Sequence, residues 1–317
     1  MQRRPLGQTG LDIAPLVFGG NVLGWTIDEA TSFDVLDAFV DHGFNAIDTA
    51  DVYSAWAPGN RGGESEILLG RWLKARPGMR ERVALFTKVG ADMGGSGRKG
   101  LSEAWILRAV EDSLRRLGTD HIDLYFSHWP DLQVPYEETL GAYDKLLRAG
   151  KIRAIGASNL DAAQLAESLA VSRAQGLPAY MALQPEYNLY KRTAYDGPLR
   201  ELCIREGLGV VTYYSLASGF LSGKYRGKAD LSKSPRGSRV EQYLDARGMA
   251  ILGALDSVAA AHGAQPAEVA LAWLMVREGV TAPIASATSR AQVASFGRAA
   301  ALALSQEQIA LLDKASA

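Results

Sequence analysis

The sequence predicts an α/β fold: a single (β/α)8 TIM barrel over residues 1–317, with an N-terminal hairpin and extra C-terminal helices. Three observations lead there. Eight short, almost continuously apolar runs are bounded by turn residues, as strands buried on both faces require. Amphipathic helical stretches separate them, so successive strands run parallel. A length of 317 residues is long for one ordinary domain but usual for one barrel.

Residues 4–13 read as a hairpin turning at Gln8-Thr9-Gly10, placed to plug the barrel bottom. Strand-like runs follow at 15–19, 44–50, 82–89, 121–128, 151–159, 181–188, 209–215 and 281–287. Helical patterns occupy 31–42, 64–74, 101–117, 135–149, 161–174 and 198–206. Another, 264–278, precedes the last strand, 289–301 follows it, and the tail 304–317 carries a further short helix. Asp161 is placed to cap one helix and Ser102-Glu103 to open another. Gly150, Gly176, Gly207 and Gly279 each fall just past a helix, where a left-handed cap costs glycine little. The segment 225–248 fits no repeat. It is long and charged, with Arg226, Lys228, Lys233, Arg236 and Arg239, and reads either as a lid or as a solvated insertion.

Bulk properties narrow the function. A net charge of −1 sets up no field that would recruit nucleic acid or an anionic membrane. The single cysteine, Cys203, excludes an internal disulfide and a Cys-rich zinc site, and its apolar neighbours suggest simple packing. Met1–Gln8 lacks the apolar core of a signal peptide, and no run of about 18 apolar residues occurs. The simplest location is a reducing cytoplasm. His42 and His262 fall in predicted helices and His121 begins a strand, with no His-x-His or His-Glu-x-x-His cluster, which argues against a metal hydrolase. The sequence is compatible with an oligomer.

In a barrel, chemistry sits at the C-terminal ends of the strands. Those ends read Gly19-Gly20-Asn21, Asp48 with Tyr53, Lys88, His128, Ser158-Asn159, Gln184, Tyr213 beside Tyr214, and Ser286-Ala287. Taken singly, each residue has an ordinary role. Asp48 could cap a turn, Tyr53 could pack at the surface, and His128 and Tyr213 could serve the core. Their joint placement argues for one site. A phenol is a poor acid near neutrality, and an ammonium beside it favours the phenolate. Lys88 can act so on Tyr53, with Asp48 keeping Lys88 charged. His128 can orient a carbonyl and share the proton. Asp48, Tyr53, Lys88 and His128 are therefore the catalytic candidates, and the assembly suits protonation of an oxygen gaining negative charge. None of the four supplies hydride, so a cofactor must. The amides of Asn159 and Gln184 suit a carboxamide, and Tyr213 offers a flat face to a nicotinamide ring.

The segments Gly43-Phe44-Asn45-Ala46-Ile47-Asp48-Thr49-Ala50-Asp51-Val52-Tyr53, Thr87-Lys88-Val89, Asp123-Leu124-Tyr125-Phe126-Ser127-His128, Gly156-Ala157-Ser158-Asn159, Gln184-Pro185-Glu186-Tyr187-Asn188 and Ser218-Gly219-Phe220-Leu221-Ser222-Gly223-Lys224 run through nearly the whole chain. In content and order they resemble the aldo-keto reductase superfamily, in the style of its bacterial and potassium-channel-β-like branch. The resemblance implies a barrel binding NADP(H) without a dinucleotide glycine fingerprint. It implies that Tyr53 is the general acid, supported by Asp48, Lys88 and His128. It further implies that Ser158, Asn159 and Gln184 hold the carboxamide, that Tyr213 stacks on the nicotinamide, and that Leu216 and Ser218 lie by the pyrophosphate. Gly20, Asn21 and Tyr214 are further cofactor-side candidates. At the adenine end the run Ser286-Ala287-Thr288-Ser289-Arg290-Ala291-Gln292-Val293-Ala294-Ser295-Phe296 departs from the family pattern, with Phe296 where asparagine is usual. There Ser286, Thr288, Arg290 and Gln292 are the candidates, Arg290 being the nearest to a 2′-phosphate clamp because guanidinium suits phosphate.

Trp25, Trp56 and Trp129 form the expected substrate pocket, with Tyr53 and Tyr187 near it, and would favour a moderately apolar aldehyde or ketone. Three activities remain open. One is an NADPH-dependent carbonyl reductase. A second is a slowly turning nicotinamide-binding regulatory or redox-sensing subunit. The third is a Schiff-base lyase using Lys88, which Asp48 opposes because a nucleophilic lysine must be neutral.

Overall fold

The computed structural model describes residues 1–234 and 236–317; Pro235, inside the 225–248 segment, lies outside them. Among the described residues, β1 Arg4–Pro5 and β2 Asp12–Ile13 pair antiparallel as the expected hairpin. Leu6 and Ile13 then join the core that fills the barrel lumen, so the hairpin does close the bottom. Arg4 Nη1 ties it down by donating to the carbonyls of Met275 at 2.7 Å and Thr281 at 3.3 Å.

Eight parallel strands close the barrel: β3 Val17–Gly19, β4 Ala46–Asp48, β5 Ala84–Val89, β6 Ile122–Ser127, β7 Ile152–Ser158, β8 Ala182–Gln184, β9 Gly209–Thr212 and β10 Ala282–Ala285, with β10 paired back onto β3. Every predicted strand is present but trimmed. Ladder pairing stops where the chain bends into loops, whereas apolar side chains continue past that point.

Around the strands lie α1 Glu29–Asp41, α2 Glu64–Ala75, α3 Glu103–Leu117, α4 Tyr136–Arg148, α5 Ala162–Gln175, α6 Pro198–Glu206, α7 Ala246–His262, α8 Pro266–Met275, α9 Arg290–Ala301 and α10 Gln306–Ala315. Asp161 caps α5 reciprocally with Gln164, and Ser102 caps α3. Cys203 is buried on α6, and burial pushes its thiol up to about 12. None of these helices is long and apolar enough to cross a membrane.

Two parts depart from expectation. The start of α7, inside 225–248, lacks a signal because Ala-Arg-Gly-Met-Ala-Ile-Leu-Gly-Ala-Leu has apolar groups nearly all round. The rest of 225–248, among the described residues, packs against the barrel and is not a solvated insertion. It winds through short 3-10 turns at Lys228–Lys233, Gly237–Arg239 and Glu241–Tyr243. Tyr225, Val240 and Tyr243 are buried beneath it, and Arg226 grips Asp256 through two 2.7 Å bonds.

Side chains alternate across a strand. Ala46, Phe86, Phe126 and Ala182 face the lumen. Two residues later on the same face come Asp48, Lys88, His128 and Gln184. Each strand therefore lifts one polar group above an apolar floor. Gly156 makes that floor possible, since a β-carbon there would sit 2.5 Å from the Phe126 ring.

Candidate active site

The four catalytic candidates meet at the barrel mouth. The fully buried Lys88 Nζ donates to Asp48 Oδ1 at 2.8 Å, Asp48 Oδ2 at 2.7 Å, the Thr49 carbonyl at 2.7 Å and the Tyr53 hydroxyl at 3.0 Å. The Tyr53 hydroxyl donates in turn to Asp48 Oδ2 at 3.3 Å. The His128 ring lies 6.0 Å from the Tyr53 ring, at a steep angle, and stacks on Trp129 at 5.8 Å.

These surroundings set the protonation states. Burial lowers the Lys88 pKa, and the ion pair with Asp48 works against it. An ammonium has three N–H donors, and the oxygens around Lys88, the Asp48 carboxylate above all, favour that charged form, which has no lone pair for a nucleophile to use. Burial, and then the Asp48 carboxylate, push the Tyr53 phenol well above its ordinary value. This is the reverse of the acidified phenol expected from Lys88 alone. Asp48 accepts from the hydroxyl and so favours the protonated form. The phenol is thereby kept protonated. Burial, and then the Lys88 charge, push His128 well below its usual value, so its imidazole is neutral near pH 7. Its Nδ1 is buried with no partner, which leaves Nε2 as the nitrogen for a ligand.

A ring of amides and hydroxyls surrounds this centre. Ser158 Oγ donates to the Gln184 carbonyl at 2.8 Å, and Gln184 Nε2 donates to Asp48 Oδ1 at 2.9 Å. Asn159 has φ 63°, and its Nδ2 donates to the His128 carbonyl at 2.9 Å. The Tyr213 hydroxyl donates to Asn159 Oδ1 at 2.7 Å, which fixes the Tyr213 ring edge-on to Tyr214. After β9, Tyr214, Ala217 and Ser218 all have positive φ, whereas Leu216 between them has φ −107°. Such strain in non-glycine residues persists where the surroundings over-determine it, commonly at ligand clamps. On the facing rim, Ser286 Oγ donates to Asn21 Oδ1 at 2.7 Å, within the turn Gly20–Val22.

The aromatic pocket is split. Trp25 and Trp56 meet edge-to-face at 5.6 Å, with Trp56 6.0 Å from Tyr53, while Trp129 stands across the mouth on His128. Tyr187 does not join them. It is wholly buried, packs on Trp273 and Tyr195, and donates to Asp196. It points out of the barrel because it falls one strand position off the lumen face. Of the residues expected at the adenine end, Arg290 is committed to Asp34 of α1 at 2.7 Å, in solvent. Gln292 turns back to accept from the Thr288 amide at 2.7 Å.

One site residue was legible only as part of the charged 225–248 segment. Arg236 lies 5.2 Å over the Trp25 ring and its Nη2 reaches Asn21 Oδ1 at 3.5 Å. Arg239 approaches the Tyr214 hydroxyl at 3.4 Å. The segment therefore acts on the rim of the mouth. The signal was a cluster of arginines in a chain of nearly zero net charge.

The donor set fits a nicotinamide dinucleotide: neutral amides and a flat phenol beside the proton-carrying cluster, and arginines toward the outer rim. Comparison with known proteins agrees. A sequence model of the Aldo/keto reductase family matches residues 15–317. The uncharacterized oxidoreductase YrpG of Bacillus subtilis is 32% identical, over 99% of this chain and 95% of its own. Aldo-keto reductase AMT2 of Alternaria alternata is 31% identical, over 98% of this chain and 90% of its own. A probable voltage-gated potassium channel subunit beta of Arabidopsis thaliana is 30% identical, over 92% and 89%. The match to the family model over nearly the whole chain, on a closed eight-stranded barrel with this centre at its mouth, means that the chain belongs to the aldo/keto reductase family.

Proposed function

We propose that the protein is an NADPH-dependent carbonyl reductase that converts small aldehydes or ketones to alcohols, with Tyr53 as general acid. The observation that carries this reading is the Tyr53 hydroxyl, 3.0 Å from the buried Lys88 ammonium at the open end of the barrel. The bound cofactor supplies the hydride. The protein's part is proton placement. Tyr53 arrives protonated, because burial and Asp48 hold it so. As negative charge grows on a substrate oxygen, Lys88 stabilises the phenolate left behind. Neutral His128 offers Nε2 to orient the carbonyl, and Trp129 supports its ring.

In this reading Ser158, Asn159 and Gln184 hold the carboxamide, and Tyr213 and Tyr214 flank the nicotinamide. Gly20, Asn21, Leu216, Ser218 and Ser286 line the path of the pyrophosphate, with Arg236 as a phosphate partner. Thr288, Arg290 and Gln292 serve the adenosine end, Arg290 by exchanging Asp34 for the 2′-phosphate. Trp25, Trp56 and Trp129 form the walls for the carbonyl substrate.

The test is multiple-turnover NADPH oxidation across an aldehyde panel, with Tyr53→Phe as control. Wild type should exceed the variant by about 10²–10⁴-fold. A fluorescence titration with NADPH and NADH decides cofactor preference, and tight binding of the phosphorylated form alone supports the Arg290 assignment. The likeness to the Arabidopsis protein supports a second reading, a nicotinamide-binding regulatory or redox-sensing subunit that uses the same residues with slow turnover. Equally slow wild type and Tyr53→Phe would favour it.

A further inference from the structure

The aromatic wall beside Tyr53 rests on a buried polar staple. Ser54, the residue after the general acid, is completely buried and has φ 74°, a conformation that a β-carbon disfavours. Its Oγ donates to the Leu23 carbonyl at 2.7 Å. Asn60 Nδ2 donates to the next carbonyl, that of Gly24, at 2.8 Å, and also to the Ser54 carbonyl at 3.0 Å. Two side chains of the β4–α2 loop thus satisfy two successive carbonyls of the β3–α1 segment. Each loop carries one indole just beyond the staple: Trp25 follows Gly24, and Trp56 follows Ser54 by two.

Carbonyls withdrawn from water need donors, and here those of the buried Leu23 and the half-buried Gly24 both find one in the other loop. The strained Ser54 backbone is kept because its hydroxyl has one place to go. The geometry of the Trp25–Trp56 pair, 5.6 Å apart at 88°, follows from this tie. The two loops spring from different strands; Ser65 Oγ also ties α2 back to the Gly20 carbonyl at 2.8 Å and Arg236 lies over Trp25, but the Ser54 and Asn60 bonds are the ties that flank the indoles.

Building on the carbonyl-reductase reading, we infer that Ser54 and Asn60 are positioning residues that hold Trp25 and Trp56 in their edge-to-face contact, and so keep one rigid aromatic wall that selects flat aromatic carbonyl compounds over small aliphatic ones. Neither residue touches the reacting atoms. The effect is carried by indole placement, so it reads out as selectivity and in KM, and leaves the proton chemistry of Tyr53 in place.

The experiment compares wild type, Ser54→Ala, Ser54→Gly and Asn60→Ala with 4-nitrobenzaldehyde and propanal under saturating NADPH. In each variant the kcat/KM ratio of aromatic to aliphatic substrate should fall about tenfold, mainly through KM for the aromatic aldehyde. Ser54→Gly relieves the backbone strain but lacks the hydroxyl, so it should lose selectivity while unfolding at a higher temperature than Ser54→Ala. The near-ultraviolet circular dichroism of the indole pair, identified by its loss in Trp56→Phe, should weaken in Ser54→Ala and Asn60→Ala. A substrate ratio within twofold of wild type in all three variants overturns the inference, as does an equal fall for both aldehydes or an unchanged dichroism signal. A wild type that turns over neither aldehyde refutes the carbonyl-reductase reading itself, and the selectivity role with it.

Discussion

Replacing Lys88 with methionine separates what the buried ion pair does for the fold from what it does for the reaction. The ammonium lies 2.7 Å from Asp48 Oδ2, with both side chains out of solvent. At an effective dielectric of about 20 their attraction is about 6 kcal/mol. Desolvating each ion costs several kcal/mol, so the intact pair contributes little net stability. Removing one partner is different. Methionine fills a similar volume but donates nothing, and Asp48 is left with Gln184 Nε2 at 2.9 Å and the Tyr53 hydroxyl at 3.3 Å. Stranding a buried charge in this way costs about 3–5 kcal/mol. Adding Asp48→Asn removes the stranded charge, so the double variant should recover most of that loss. Turnover should not recover. With no cation to stabilise the phenolate, both variants should turn over about 10²–10⁴-fold more slowly than wild type. Lys88 lies beneath the mouth, so NADPH affinity should stay close to wild type. Denaturant unfolding, fluorescence titration and single-turnover kinetics read the three quantities. A double variant no more stable than Lys88→Met would refute the stranded-charge argument. Weakened NADPH binding with unchanged turnover per bound cofactor would refute the proton role.

Arg236→Gln should weaken NADPH roughly 10- to 100-fold, the worth of a charge-assisted phosphate contact, while kcat at saturating cofactor is largely kept. Unchanged affinity would remove Arg236 from the site. Asp51 is buried with neither carboxylate oxygen partnered, and burial followed by the nearby Glu66 charge pushes its pKa well above the ordinary value. The folded chain therefore binds a proton that the unfolded chain releases near pH 4. Stability falls as pH rises from there through the folded value. Asp51→Asn removes this penalty, so its gain in melting temperature over wild type should be larger at about pH 8 than at about pH 5. A gain that shrinks with rising pH would mean that Asp51 is ionised and partnered.

The depth to which the site was legible follows from how local each signal is. Asp48, Lys88, His128 and Gln184 were found because a strand alternates with period two, so a polar residue at the end of an apolar run is lifted onto the lumen side. Tyr187 was expected near the mouth from its place at the end of a strand-like run alone; the same alternation puts it one position out of phase, and it is buried away from the mouth. The protonation of Tyr53 was inferred from Lys88 alone. It depends equally on the Asp48 oxygen at 3.3 Å, a distance no spacing encodes.

By itself, the chain order of apolar runs, caps and turn glycines determined the barrel, its hairpin and the placement of the four catalytic candidates at strand ends, because strand and helix periodicity and capping are short-range properties. Only the tertiary structure decided who meets whom across the mouth. Gln184 reaches Asp48 across 136 residues, and Arg236 reaches Asn21 across 215. Arg290 spends its charge on Asp34, and Ser54 is strained to reach Leu23. Barrel closure brings these partners together, and the direction of each side chain follows from packing between elements distant in the chain.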